Sequence, residues 1–324
     1  MDNQPILDSI DPELIERLAV RKAEIDRGSW ASPGIIAALA IGSVPIAIGV
    51  LSKDLYGQAP SAPIKGVLDF ALALEIFENE FYKAVLGRSA SAAQNNAFTV
   101  VRALALAVPG AGNTLDQIQK HEVQHIATLQ AAGATNVFGL TEASFDFTGA
   151  RGAGNGPFAK ATTDLPFLLQ VAQGAEDTGV RAYKGQAANL MSSPGLLEAA
   201  LRIHSVEARH ASRIRRMRRA AAGAPSSVRW SGTVRGGGAA AAGATDAGPN
   251  AAAVTAAFER IYGAGANSTN APSESNTMQG GIDVTTLANT TNFGLEAAQE
   301  AFDEPLDRAD VVAIVQGFFI PTIS

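Results

Sequence analysis

The middle of the chain, about residues 64–220, carries apolar side chains at the three- and four-residue spacing of amphipathic helices. We predict a subsidiary helix near 90–107 and four main helices, at about 64–87, 115–132, 165–191 and 194–220. Each main helix has one apolar stripe, which it must bury against its neighbours. An all-α four-helix bundle is therefore expected over residues 61–222.

Residues that favour helix ends flank these main helices. Thr114 and Gln117 have the spacing of a capping box at the start of the second helix, and Gly133 supplies its stop. Asp164 is expected to cap the third helix and Ser193 the fourth, because each precedes a proline-containing first turn.

A long connection, Ala134–Asp164, separates the second helix from the third and is rich in Gly and Phe. Connections of this length are uncommon in compact domains unless the fold requires them. A bundle in which the chain crosses over from one helical pair to the next does require one.

Residues 1–60 contain an unusual apolar stretch. No charged residue lies between Arg27 and Lys53, and residues 35–51 are almost entirely apolar. At about 1.5 Å per residue, a helix of this length nearly matches the hydrocarbon core of a bilayer. Three interpretations stay open: a helix buried against the bundle or a neighbouring subunit, a membrane anchor through 35–51, or the apolar part of an export signal.

Residues 223–324 differ in composition from the bundle. The stretch Gly236–Ala253 is rich in Gly and Ala and predicts a linker. Short helices are expected near 251–263 and 295–319. The remainder is rich in Asn, Ser and Thr, so we predict an irregular C-terminal extension.

Composition narrows the chemistry. The formal net charge is -6 and the pI about 5.3, so no nucleic-acid partner is expected. The basic cluster within 213–219 ends the fourth helix, where positive charge suits the helix dipole better than it indicates an anion site. The absence of cysteine excludes disulfides, zinc–thiolate sites and cysteine nucleophiles, which leaves His, Asp and Glu as metal ligands.

The second and fourth helices carry the same pattern of residues. Glu122 and His125 in one match Glu207 and His210 in the other, at a constant offset. Positions three apart share a helix face, and apolar residues one turn away make this the buried face. These flanking residues are Ile118, Leu129, Ile203 and Ile214.

The first and third helices share a second pattern. Glu75 and Tyr82 match Glu176 and Tyr183, again at a constant offset and within apolar stripes. Glu78 lies one turn from Glu75 on nearly the same face and could replace or supplement it. The two tyrosines are the candidate catalytic residues, as hydrogen-bond donors beside the glutamates.

Four buried glutamates and two histidines are the ligands by which carboxylate bundles hold two metal ions. One Glu comes from each of two helices and one Glu-x-x-His from each of the other two. Such oxygen-rich sites suit iron, which we expect first, or manganese. The predicted metal ligands are Glu75, Glu122, His125, Glu176, Glu207 and His210.

Several phrases resemble the ferritin-like superfamily, in particular bacterial ferritin-like domain proteins sometimes labelled desiccation-related. They are Asp69-Phe70-Ala71-Leu72-Ala73-Leu74-Glu75, Glu176-Asp177-Thr178-Gly179-Val180-Arg181-Ala182-Tyr183, His204-Ser205-Val206-Glu207-Ala208-Arg209-His210 and Glu300-Ala301-Phe302-Asp303-Glu304-Pro305. The resemblance implies a ferritin-like bundle with a long crossover between helices 2 and 3. It also favours an exported or cell-envelope location over a cytoplasmic one, although only Arg21-Lys22 stands where many members have a twin-arginine signal.

Other polar residues of the helices receive plainer interpretations. The stretch from His121 to His125 matches the H-E-x-x-H motif of zinc peptidases, but it lacks an obvious third ligand. We therefore interpret His121, like His204, as a surface or hydrogen-bonding residue. Three further acidic residues are expected to be surface charges: Glu80, Asp177 and Glu198.

Two functions of different classes fit this sequence. The first is a di-metal oxidoreductase that reacts with dioxygen or peroxide, with ferroxidase, peroxidase or catalase-like chemistry. The second is a structural or self-assembling envelope protein on the same scaffold, in which metal only stabilises the bundle or is absent. A homo-oligomer is expected, and an iron-storing cage is a third option.

Overall fold

The computed structural model describes residues 60–221, 251–262, 274, 276–287 and 302–323. The α-helices in these ranges are α1 Ala62–Leu86, α2 Ala92–Ala97, α3 Thr99–Ala107, α4 Ala111–Ala131, α5 Leu165–Gln186, α6 Pro194–Ala221, α7 Ala251–Tyr262 and α8 Arg308–Val315. A two-stranded antiparallel sheet joins β1 Met278–Gln279 to β2 Ile282–Asp283. The N-terminal apolar stretch lies outside the described residues.

The four long helices form two antiparallel hairpins, α1 with α4 and α5 with α6. Lys65 near the start of α1 hydrogen-bonds Thr135 just after α4, and Arg215 near the end of α6 reaches Asp177 on α5. Helix α5 runs antiparallel to α1 and therefore parallel to α4. The connection between α4 and α5 must return along the whole bundle, which confirms the predicted long crossover.

Most predicted helix ends agree with the structure, and the start of the second main helix does not. Asp164 caps α5 through the amide of Phe167, at 2.8 Å. Helix α4 begins at Ala111 after Gly110, whose φ of 78° lets the chain turn into the helix early. The predicted Thr114 capping box is therefore wrong, because the Thr114 hydroxyl already donates inside the helix, to the carbonyl of Gly110.

The other predicted helices differ in smaller ways. The subsidiary helix is divided at Phe98 into α2 and α3. Helix α5 ends at Gln186 and continues only as a 3-10 turn, Ala187–Leu190. The helix predicted at 251–263 is confirmed as α7, whereas the helix expected at 295–319 is α-helical only from Arg308 to Val315 within the described residues.

The crossover is organised by the buried carboxylate of Asp146. Its Oδ1 accepts hydrogen bonds from the amide and hydroxyl of Thr148, at 2.9 and 2.6 Å. Its Oδ2 accepts the amides of Gly152 and Gly154, at 2.8 and 3.0 Å. One side chain thereby accepts hydrogen bonds from three backbone NH groups of an irregular loop.

The last described residues pack onto this crossover. Phe145 pairs with Phe319 as an isolated β-bridge, and the amide of Ile320 donates to the carbonyl of Ser144. The rings of Phe318 and Phe319 lie 5.2 and 5.5 Å from that of Phe77 on α1. The C-terminal segment therefore belongs to the same hydrophobic core as the bundle.

A buried polar network also ties the C-terminal segments to α5. The fully buried Arg181 guanidinium donates to the carbonyls of Glu304 and Ile261 and lies 3.1 Å from the Glu274 carboxylate. One turn earlier, Asp177 accepts the Tyr262 hydroxyl at 2.6 Å. The expectation that Asp177 is a surface charge is therefore wrong, because α7 covers that face of α5.

The basic cluster at the end of α6 also contacts α5. Arg215 forms an ion pair with Asp177 at 2.8 Å, and Arg218 donates to Gln173 at 3.1 Å. These two side chains are largely buried, so their positive charges are stabilised by partner side chains as well as by the helix dipole. Across the parts of the chain that the structure describes, no helix is both long and apolar enough to cross a membrane.

Candidate metal centre

The six predicted ligands lie together inside the bundle, midway along the four long helices. Each of the six is at most 5% exposed. Apolar residues close the stripe one turn away on both sides, with Ile118 and Leu129 on α4 and Ile203 and Ile214 on α6 all buried. The helical spacing of the sequence thus produces a polar layer between apolar layers.

Their ligand atoms form two overlapping groups, in each of which every atom lies within 4.8 Å of the others. The first group is Glu75, Glu122, His125 and Glu207; the second is Glu122, Glu176, Glu207 and His210. Glu122 and Glu207 belong to both groups. Each group has one imidazole and one carboxylate of its own, which is the arrangement of two neighbouring metal positions with two bridging carboxylates.

The imidazoles face the carboxylates through their Nδ1 atoms. His125 Nδ1 lies 3.0 Å from Glu75 Oε2 and 2.8 Å from Glu207 Oε1. His210 Nδ1 lies 3.2 Å from Glu176 Oε2 and 3.1 Å from Glu122 Oε1. The two halves of the centre therefore have matching geometry.

The two tyrosines connect the halves. Tyr183 on α5 donates to Glu75 Oε1 at 2.5 Å, and Tyr82 on α1 donates to Glu176 Oε1. Each phenol thus binds the glutamate of the opposite hairpin, since α1 and α5 are antiparallel. In each of these glutamates one oxygen accepts the phenol while the other faces an imidazole.

The sequence of this region agrees with the geometry. Residues 65–220 match the family model of the ferritin-like domain. These residues form a ferritin-like domain. The buried carboxylate–histidine cluster within it is typical of a di-metal site. No curated protein and no solved structure gives a significant match to the chain.

Burial and the charges of neighbouring groups act against each other in the ferritin-like domain's centre, and for Glu75 burial prevails. It raises the pKa of the Glu75 carboxyl to about 8, against the opposing charge of His125. It also raises the pKa of Glu176, against His210. Glu207 is the exception: burial acts to raise its pKa, but the two imidazoles outweigh burial and hold it below its usual range.

The histidines shift in the opposite direction to ordinary buried imidazoles. Burial lowers the pKa of His125 and His210, but the surrounding carboxylates outweigh it, and both values lie above the usual range. The centre places four carboxylates and two imidazoles together in the buried interior of the bundle. Such a site requires protons or metal cations to balance its charge.

Unsatisfied oxygen atoms show that the residues fit metal ions. Glu122 Oε1 and both oxygens of Glu207 are buried without a hydrogen bond. Imidazole nitrogens lie 2.8 to 3.4 Å from these three atoms, but outside hydrogen-bond geometry. Buried polar atoms normally have partners, and these are the oxygens of the two shared carboxylates. A pair of cations between them would supply the missing partners.

Three residues close to the centre behave differently from the ligands. His121 Nδ1 lies 2.9 Å from His210 Nε2, and the two rings stack. His121 belongs to neither ligand group, so the geometry does not favour the H-E-x-x-H interpretation. His204 Nδ1 lies 3.0 Å from the carbonyl of Val180, as expected of a hydrogen-bonding histidine. Glu78 is buried beside the centre and belongs to neither group.

The remaining acidic residues of the helices differ in exposure. Glu198 pairs with Arg202 at the surface, as expected. Glu80 is only 6% exposed and pairs with Lys83, so its assignment as a surface charge is wrong. Sequence reasoning missed the burial of Glu80 and the contact of His121 with His210. The spacing of His121 from Glu122 gives no signal for this contact, because the contact crosses between hairpins.

Proposed function

We propose that the ferritin-like domain is a di-metal oxidoreductase centre that takes iron, or manganese in its place, and reacts with dioxygen or peroxide. The observation that supports this is the sharing of Glu122 and Glu207 between two ligand groups. Carboxylate oxygens with one imidazole per position suit iron and manganese. Two such ions, when bound, supply redox and Lewis-acid chemistry.

The protein's own groups prepare this chemistry. Tyr82 and Tyr183 orient Glu176 and Glu75 by donating to one oxygen of each, which leaves the other oxygen facing the imidazole. The apolar layers above and below exclude water, which strengthens every charge interaction inside. Ferroxidase, peroxidase and catalase-like reactions are the candidate chemistries of such a centre. Within the superfamily, the motifs of the chain favour the desiccation-related branch and a cell-envelope or exported location.

Metal loading tests the proposal. Protein purified without chelator is analysed for metals, then loaded anaerobically with ferrous iron and exposed to air while its absorbance is followed. We expect about two ions per chain and an oxygen-dependent absorbance change. Glu198→Gln, on the exposed face of α6, serves as the control and should behave like the native protein. A chain that takes up no metal after loading would refute the proposal.

A structural scaffold is the second candidate. The observation that favours it is the cover on α5, where Arg181, Glu274 and Glu304 are buried in contacts that lie apart from the six candidate ligands. In this function, metal stabilises the bundle and a homo-oligomer is the working form. Glu122→Ala separates the two candidates: loss of the native protein's oxygen chemistry at an unchanged oligomeric mass in light scattering favours the oxidoreductase. An unchanged mass in a protein whose native form shows no oxygen chemistry favours the scaffold.

A further inference from the structure

Glu78 is a buried carboxylate that the proposed centre does not yet use. It lies on α1 one turn after Glu75 and is 3% exposed. Among the described residues, no side chain or backbone group donates a hydrogen bond to its carboxylate. The largest charges that act on it are the carboxylates of Glu207 and Glu176, in that order. A carboxylate so placed needs a cation or a proton beside it.

The matching position of the other hairpin explains how Glu78 fits. Glu176 on α5 matches Glu75, and three residues later α5 has Gly179 where α1 has Glu78. Glycine is unfavourable inside a helix, and Gly179 does not have the positive φ that would require one. What glycine does here is leave the space beside the α5 backbone free of a side chain.

The geometry around Gly179 shows what that space holds. A Cβ atom at this position would lie 3.4 Å from Glu78 Oε1 and 3.9 Å from Glu207 Oε2. The two carboxylates thus flank the same bare stretch of helix backbone. An alanine methyl would touch both of them, and the glutamate that the repeat would place there would occupy the position of Glu78.

We propose that Glu78 is a seventh metal ligand, which binds at the position formed by Glu122, Glu176, Glu207 and His210. This inference rests on the proposed di-metal function and extends it. That position then has five protein ligands and the position of His125 has four. Glu78 Oε1 and the unsatisfied Oε2 of Glu207 both lie beside Gly179. Because Glu78 belongs to neither ligand group, its carboxylate must move toward the ion in order to bind it. The two ions of the centre are therefore chemically unequal.

The test is the binding of ferrous and manganous ions, measured anaerobically by calorimetry on the full chain. We compare Glu78→Gln, which keeps the shape and removes the charge, with Glu78→Asp, which keeps the charge on a shorter side chain. Glu78→Gln should weaken the binding of one of the two ions at least about tenfold and leave the binding of the other near its native affinity. The affinity of Glu78→Asp for the first ion should lie between those of the native protein and Glu78→Gln.

A matched control is Glu80→Gln, which also removes a buried charge from α1 but on the face that pairs with Lys83. Circular dichroism checks that each variant is folded. Unchanged binding in Glu78→Gln, or an equal loss in Glu80→Gln, would overturn the role of Glu78 while leaving the di-metal function intact. Failure of the native protein to bind metal would overturn both. Mössbauer spectra of iron-loaded native protein should show two environments, and Glu78→Gln should alter one of them.

Discussion

The two helical hairpins present the same pattern of two glutamates, one histidine and one tyrosine to the centre and differ in what surrounds it. Hairpin α1–α4 adds Glu78 and His121, whereas α5–α6 has Gly179 and Val206 at the matching positions. On α5, Arg181 makes buried polar contacts with the C-terminal segments, whereas the matching position of α1 is Glu80, which pairs with Lys83. The repeated residues thus define a symmetric ligand set, and the unmatched residues make its two halves unequal.

Shared and unshared ligands provide the sharpest test of this symmetry. Glu207→Gln removes a carboxylate that belongs to both groups, so binding of both ions should be lost. Glu176→Gln removes a carboxylate of one group and should leave about one ion per chain. Elemental analysis after iron loading measures the difference. An equal loss in both variants would show that the groups are not two separate positions.

The cover on α5 should contribute more to stability than a surface pair on the same hairpin. Arg181→Met removes a buried cation 3.1 Å from the Glu274 carboxylate, together with the donors to the carbonyls of Glu304 and Ile261, so the free energy of unfolding should fall by about 3–5 kcal/mol. Arg202→Met on α6 breaks only the exposed pair with Glu198 and should cost less than about 1 kcal/mol. Urea denaturation measures both. Similar values for the two would contradict a tightly packed cover.

The crossover that joins the hairpins should depend on one carboxylate. Asp146→Asn turns an amide NH2 toward the backbone NH groups of Gly152 and Gly154, so we expect a loss of about 1–3 kcal/mol. Burial acts to raise the pKa of Asp146, but the hydrogen bonds from Thr148, Gly154 and Gly152 lower it below its usual value.

This lowered pKa gives the prediction for Asp146 a definite pH dependence. The stabilisation is fully present above the unfolded-state pKa of about 4 and is lost as the pH falls through the lower folded-state value. The stability difference between the native protein and Asp146→Asn should therefore shrink below about pH 4. Denaturation curves between pH 3 and 7 measure it, and a difference that is constant with pH would exclude this role.

The crossed tyrosines should have the smallest effect and an equal one. Tyr82→Phe and Tyr183→Phe each remove one hydrogen bond to a glutamate of the opposite hairpin. Each should weaken metal binding about tenfold, or about 1.4 kcal/mol. Anaerobic titration of the two variants side by side gives the comparison. A large effect of only one tyrosine would place the inequality of the halves at the phenols as well as at Glu78.

The sequence predicted the parts of the site that depend on a single helix. Glu122 and His125 share a face because of helical spacing, and the apolar residues one turn away indicated that this face is buried. The pairing of each tyrosine with the opposite glutamate was not predictable, because it depends on the antiparallel packing of α1 against α5. Local patterns also missed the burial of Asp177, since distant residues of α7 cover it.

Because the crossover packs against the last described residues, part of the core can form only late in the synthesis of this protein. Phe145 leaves the ribosome long before Phe319, its β-bridge partner, and until then Phe77 on α1 lacks its ring contacts with Phe318 and Phe319. At about 5–20 residues per second, this delay is on the order of ten seconds or more. A nascent chain therefore carries all six candidate ligands before Phe319 can complete the core beside the crossover.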